Sequence, residues 1–139
     1  MSLQEELLSF ANSVGDMFRR RVAETPDGLA FLDPDRAPEG PNQWTRYTWA
    51  ESRLLVDQLA AGLLARGLSR EQRVGIISTT RLEWILLDLA VACAAGATTT
   101  VYPNTAAGDV EFILDDSGTC IVVVEDATQL AKVEASPTL

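Results

Sequence analysis

No histidine occurs in this chain, and its only lysine is Lys132. Ser-His, Cys-His and His-metal chemistry are thereby removed, because each needs an imidazole. What remains is a pair of cysteines, a cluster of carboxylates, an arginine run and two loops. Cys93 and Cys120 lie far apart inside apolar runs. Two cysteines make no disulfide framework, and their spacing fits no zinc motif, so they read as small core residues in a reducing compartment. Glu111 and Asp115 stand one helical turn apart, the minimum for a metal or acid–base pair. Nothing supplies a third ligand at a recognisable spacing, and with Asp109 and Asp116 they read as a solvated helix face. Arg19, Arg20 and Arg21 are consecutive, so on a helix they point to different sides, with aliphatic stems packed down.

Two loops invite a search for a phosphate-binding turn. Ser78 is followed by Thr79-Thr80-Arg81, and Tyr102 by Pro103-Asn104-Thr105-Ala106-Ala107-Gly108. Neither has the glycine spacing of a dinucleotide fingerprint or a Walker-type loop. Thr105 reads as the N-cap of the next helix; an anion facing that positive helix end is the alternative.

The elements that must hold these residues follow from pattern. Leu3, Leu7, Leu8, Phe10, Ala11 and Val14 allow a frayed or partner-dependent helix. Asp16 to Glu24 reads as a helix, stopped by Thr25-Pro26-Asp27-Gly28. Leu29–Leu32 and Trp44–Tyr47 read as strands of a hairpin whose long tip, Asp33 to Gln43, is rich in proline. Thr48 and Glu51 match a capping box, and Val56, Leu59, Ala60 and Leu63 then share one helical face. Gly67 sits where a left-handed residue closes that helix, with Leu68 for the hydrophobic contact. Arg73–Ser78 is an apolar strand of the kind buried on both faces. Leu82–Ala95, almost wholly apolar, is a helix that needs cover on more than one side, ended by Gly96. Thr98–Tyr102 is a strand cut by Pro103, Ala106–Asp116 a helix, Cys120–Val124 a strand and Asp126–Glu134 a helix. Val74, Ile76, Leu86, Ala90, Val122 and Val124 are expected in one layered core. The alternation predicts an α/β fold of three layers, a mostly parallel sheet flanked by helices and preceded by a helix and a β-hairpin.

Composition agrees with an ordered domain: of 139 residues, 47% are hydrophobic and 22% charged. The net charge of −9 and the lack of a basic stripe exclude the electrostatic footprint of a nucleic-acid binder. The start, MSLQEELLSF, is acidic and has no basic region before an apolar one, so no signal peptide is expected. The Leu82–Ala95 run reaches only about 21 Å as a helix, short of a bilayer core. A cytoplasmic protein without a transmembrane segment is the expectation.

A resemblance then emerges from order. The first helix runs into Thr25-Pro26-Asp27, and Tyr47-Thr48-Trp49-Ala50-Glu51 comes next. Gly67, Arg73-Val74-Gly75-Ile76 and Glu83-Trp84 follow. The series closes with Val101-Tyr102-Pro103-Asn104-Thr105 and Val110-Glu111-Phe112-Ile113-Leu114-Asp115-Asp116-Ser117. In that succession they resemble the N-terminal segment of the AMP-forming acyl-CoA synthetases. The likeness is strongest to the long-chain fatty-acid–CoA ligases of the adenylate-forming superfamily. It spans about Asp16 to Glu134; each element alone is unspecific, and the ordered set is what discriminates.

The resemblance implies a division into residues 1–15, an N-terminal extension, and 16–139, the opening portion of the AMP-binding large domain. It implies ATP, Mg2+ and coenzyme A as cofactors of the parent enzyme, a fatty acid as substrate, and the remainder of the same synthetase as partner. The phosphate loop ending in lysine, the magnesium-holding acid, the adenine and ribose contacts and the catalytic lysine are expected after Leu139. The chain alone is therefore expected to be inactive, to carry no catalytic residue or metal site, and to bind none of these cofactors tightly. Tyr102, Pro103 and Asn104 are the candidate residues on the coenzyme A side; a strand simply ended by Pro103 is the other reading. Self-association is expected, because the strands would lack neighbours supplied later in the parent. Two other functions stay open: a standalone α/β protein-interaction module without catalysis, or part of an adenylation enzyme for another acid. A phosphate loop encoded soon after Leu139 would separate the enzyme readings from the module.

Overall fold

Ser13 opens the first helix, α1 (Val14–Glu24): its Oγ accepts from the Asp16 N–H at 3.1 Å. The computed structural model describes residues 12–34 and 43–135. The helix considered from Leu3 onward and most of the Asp33–Gln43 tip lie outside the described residues. Arg20 pairs with Asp16 at 3.0 Å and Arg21 approaches Glu24 at 3.9 Å. Arg19 does something else: its guanidinium donates to the Cys93 carbonyl at 2.9 Å, at the end of another helix.

Strands β1 (Leu29–Asp33) and β2 (Thr45–Thr48) pair antiparallel as the expected hairpin. Helix α2 (Trp49–Ala65) begins on the predicted capping box: Thr48 Oγ1 accepts from the Glu51 N–H at 3.2 Å, and the Glu51 carboxylate accepts from the Thr48 N–H at 2.8 Å. It ends as predicted too. Gly67 has φ of +92°, its N–H donates to Leu64, and the Leu68 N–H reaches back to Leu63. Val56, Ala60 and Leu63 are buried, but Leu59 is exposed and lies at the rim of a groove.

Strand β3 (Arg73–Ile77), helix α3 (Leu82–Cys93), strand β4 (Ala97–Val101), helix α4 (Ala107–Asp116), strand β5 (Thr119–Val124) and helix α5 (Ala127–Glu134) follow. The three strands form a parallel sheet ordered β4-β3-β5. β3 is central and buried on both faces, as its apolar run predicted. On one face Val74 and Ile76 pack with buried residues of α1, α2 and α3. On the other, Ile77 joins Val101, Val110 and Leu114 under α4 and α5. Phe18 and Phe31 flank Trp49 at 6.2 and 5.9 Å, tying α1 and the hairpin to the larger cluster.

Several expectations are corrected. Val122 and Val124 are half-buried and belong to the second cluster: in register with Gly75 and Ile77, they face the α4–α5 side and not the side of Val74 and Ile76, and among the described residues β5 has a strand neighbour on one edge only. Cys120 is exposed, its thiol 3.3 Å from the Arg73 carbonyl; only Cys93 is partly covered, and burial pushes that thiol's pKa up. α3 closes one position earlier than Gly96 implies: Ala95 takes the left-handed conformation, with φ of +60°. Gly96 is small for another reason. A Cβ there would come within about 3.1–3.2 Å of Val91, Leu68 and the Gln72 carbonyl. Tyr102 lies just past β4. Thr105 caps nothing; the α4 N-cap is Ala106, without a side-chain hydrogen bond.

Candidate functional site

The carboxyl ends of β3, β4 and β5 meet at one edge of the sheet, where ligands commonly bind in open parallel sheets. Between the ends of β3 and β4 opens a cleft of about 550 Å3. Ser78, Thr79, Thr80 and Trp84 line one lip, and Thr100, Val101, Tyr102, Pro103 and Asn104 the other. A smaller hollow of about 230 Å3 adjoins it toward β5. Ser78 and Trp84 border both, and Arg81, Glu83 and Glu125 complete its polar rim.

The three predicted residues thus share one lip. Tyr102 is 80% exposed, with its ring standing free of the core, while Pro103 closes the strand. A tight turn follows, its Thr105 N–H donating to the Tyr102 carbonyl at 3.0 Å. What holds this turn lies far away in sequence. Lys132, on α5, donates to the Pro103 carbonyl at 2.6 Å and the Thr105 carbonyl at 2.9 Å.

The opposite lip has an anchor of its own. One oxygen of the Glu125 carboxylate accepts from the Thr79 N–H at 2.8 Å and the Thr79 hydroxyl at 2.7 Å, with Ser78 Oγ 3.2 Å away. The Thr79 backbone and hydroxyl donors, more than the nearby Arg81 charge, hold Glu125 below the usual carboxylate range. Arg81 also pairs with Glu83 at 2.7 Å. A single acid just past a parallel strand and one lysine in a late helix were the available signals, but their partners are far away in sequence.

The donors at the cleft are hydroxyls, an amide and backbone groups, suited to neutral polar atoms. A triphosphate needs positioned cations and backbone donors around its oxygens. No group of three or more metal-ligating side chains gathers among the described residues, Glu111 and Asp115 included. The ATP phosphates and magnesium implied by the resemblance therefore do not fit these residues.

The family model described as "AMP-binding enzyme" matches residues 18–139. This chain belongs to the AMP-binding enzymes. Among family relatives, the long-chain-fatty-acid–CoA ligase FadD15 of Mycobacterium tuberculosis is 33% identical over 96 residues, 67% of this chain and 16% of that ligase. The long-chain-fatty-acid–CoA ligase heimdall of Drosophila melanogaster is 32% identical over 118 residues, 85% of this chain and 17% of that ligase. Among solved structures, the N-terminal domain of FACL13 from Mycobacterium tuberculosis superposes with a TM-score of 0.79 at 25% identity, covering 90% of this chain and 30% of that one. The chain spans about a sixth of the length of these curated relatives. The resemblance to the N-terminal segment of acyl-CoA synthetases and the α/β fold are both borne out. No helix among the described residues is long and apolar enough to cross a membrane.

Proposed function

We propose that this chain forms the opening segment of the large domain of a long-chain fatty-acid–CoA ligase. The observation that carries this reading is its identity to ligases of that kind, 33% and 32%, over most of its own length. Such an enzyme joins ATP and a fatty acid to give acyl-adenylate and pyrophosphate. The thiolate of coenzyme A then attacks the acyl carbon, and AMP leaves. In this reading the phosphates and magnesium are held by later parts of the enzyme. This segment contributes one wall of the cleft at the sheet's carboxyl edge. Tyr102, Pro103 and Asn104 lie on the coenzyme A side. The exposed Tyr102 ring offers a flat apolar face, and Asn104 an amide that can pair with the amides of the pantetheine arm. The free thiols Cys93 and Cys120 suit a reducing, cytoplasmic setting.

The test measures palmitate-dependent pyrophosphate release and thioester formation with residues 1–139 alone and with the same residues joined to the remainder of FadD15. Residues 1–139 alone are expected to be silent, and the joined protein active. Turnover by the isolated chain overturns the segment reading. A joined protein that melts cooperatively yet activates no fatty acid overturns the ligase reading.

A further inference from the structure

Both lips of the cleft are tied down from the same short stretch of chain. Glu125, at the end of β5, holds the lip that follows β3; Lys132, in the last turn of α5, holds the lip that follows β4. We propose that Glu125 and Lys132 are positioning residues, a pair of opposite-charge latches through which the β5–α5 unit sets the width of the cleft. Neither contact is a side-chain ion pair. Each charged group is spent on backbone or hydroxyl partners of a loop that has no regular structure to hold it.

The chemistry fits that task. Thr79 follows β3 and has lost the strand ladder, so its N–H needs an acceptor, and a carboxylate is a strong one. Pro103 has no N–H with which to continue the β4 ladder, and its carbonyl and that of Thr105 take their donor from Lys132. An ammonium group has donors enough for both carbonyls and no acceptor to compete with them. Because Glu125 directly follows β5 and Lys132 lies in α5, a displacement of the β5–α5 stretch as a whole would move both lips together.

The experiment follows amide hydrogen exchange in residues 1–139 carrying Glu125→Gln, Lys132→Met or Lys132→Arg. Exchange at Thr79 is expected to quicken at least tenfold in Glu125→Gln, and at Thr105 by as much in Lys132→Met. Val74 and Ile76 should stay within twofold of the parent, and Lys132→Arg should restore protection at Thr105. Unchanged exchange at Thr79 and Thr105, or an equal rise throughout the chain, overturns the latches. Should either variant fail to fold, the same measurement in Glu125→Asp, whose carboxylate is one methylene shorter, decides: exchange at Thr79 no faster than in the parent is then the overturning result. What the latches serve rests on the ligase reading. In the joined enzyme, both variants should raise the KM for coenzyme A while adenylate formation keeps its kcat. Failure of that reading leaves the exchange result standing, so the two are distinguishable.

Discussion

The two faces of β3 are closed by different means. Toward α1, α2 and α3, Val74 and Ile76 sit within a cluster drawn from three helices, with an aromatic trio sealing its far end. Toward α4 and α5, the buried residues are Ile77, Val101, Val110 and Leu114, and the edge-strand residues Val122 and Val124 are only half covered. The helix starts do not divide the same way: α2 opens on a complete capping box and α5 on Asp126, which accepts from the Gln129 N–H, whereas α3 and α4 open on Arg81 and Ala106 with no side-chain cap. The thinner layer includes one close approach, where Leu114 lies over Gly75.

The largest expected effect breaks the thick face. Ile76 is 1% exposed. Ile76→Asp should cost more than the ~2–5 kcal/mol of a large-to-small core substitution, since a carboxylate is desolvated as well. Loss of the cooperative thermal transition at neutral pH is the expected readout; a parent-like melt would mean β3 is misassigned.

Next comes the open side of the sheet. Among the described residues, β4 and β5 each pair on one side only. Phe112 and Leu130 are 67% and 43% exposed on the thin-layer helices. Unpaired edges and apolar surface recruit other chains, at roughly 1.5–3 kcal/mol for each large side chain covered. The charge of −9 opposes this, with a reach of about 8 Å at physiological salt. Light scattering at micromolar concentration should report a dimer or larger species, favoured by added salt. A monomer at both low and high salt would instead mean the chain closes its own core and would favour an interaction module.

The thin face has its own sensitive point. A Cβ on Gly75 would lie 2.8 Å from Leu114 Cδ2 and 3.1 Å from Thr119 Cγ2. Gly75→Ala should therefore cost about 1–3 kcal/mol of overpacking. In a Leu114→Ala background the added methyl fills space, and most of that penalty should vanish in a double-mutant cycle by urea denaturation. Strict additivity would show that the two residues do not meet.

The smallest effect concerns acid. Hydrogen bonds from Thr48 lower the Glu51 pKa, and the Asn12 N–H, ahead of Arg20, lowers that of Asp16. A carboxylate with a depressed native pKa adds stability above its ordinary value of about 4. That contribution is lost as pH falls through the native value. Acidification should first loosen the starts of α1 and α2, seen as faster amide exchange there, and Glu51→Gln should abolish the α2 response. An α4 start that loosened at the same pH would erase the contrast between capped and uncapped starts.

Much of this was legible because its causes are local. Thr48 and Glu51 are three residues apart, Gly67 follows its own helix, and the apolar run of β3 announces burial on both sides. Tyr102–Asn104 came into view as a candidate only through the family resemblance, and the structure places these three residues on one lip of a cleft. Other features were decided only when distant segments met. No pattern near Val122 or Val124 says that β5 is an edge strand, because strand order depends on which neighbours arrive. Ala95 adopts a conformation better suited to glycine, while Gly96 is small to admit Val91, Leu68 and the Gln72 carbonyl. The latches are the clearest case: Glu125 and Lys132 look like ordinary surface charges until folding brings Thr79 and Pro103 to them across 46 and 29 positions. Propensity and capping act over a few residues of chain, so the sequence alone determined the elements and their order. Hydrogen bonds and packing act over a few ångströms of space, so only the tertiary structure decided which residues share the site.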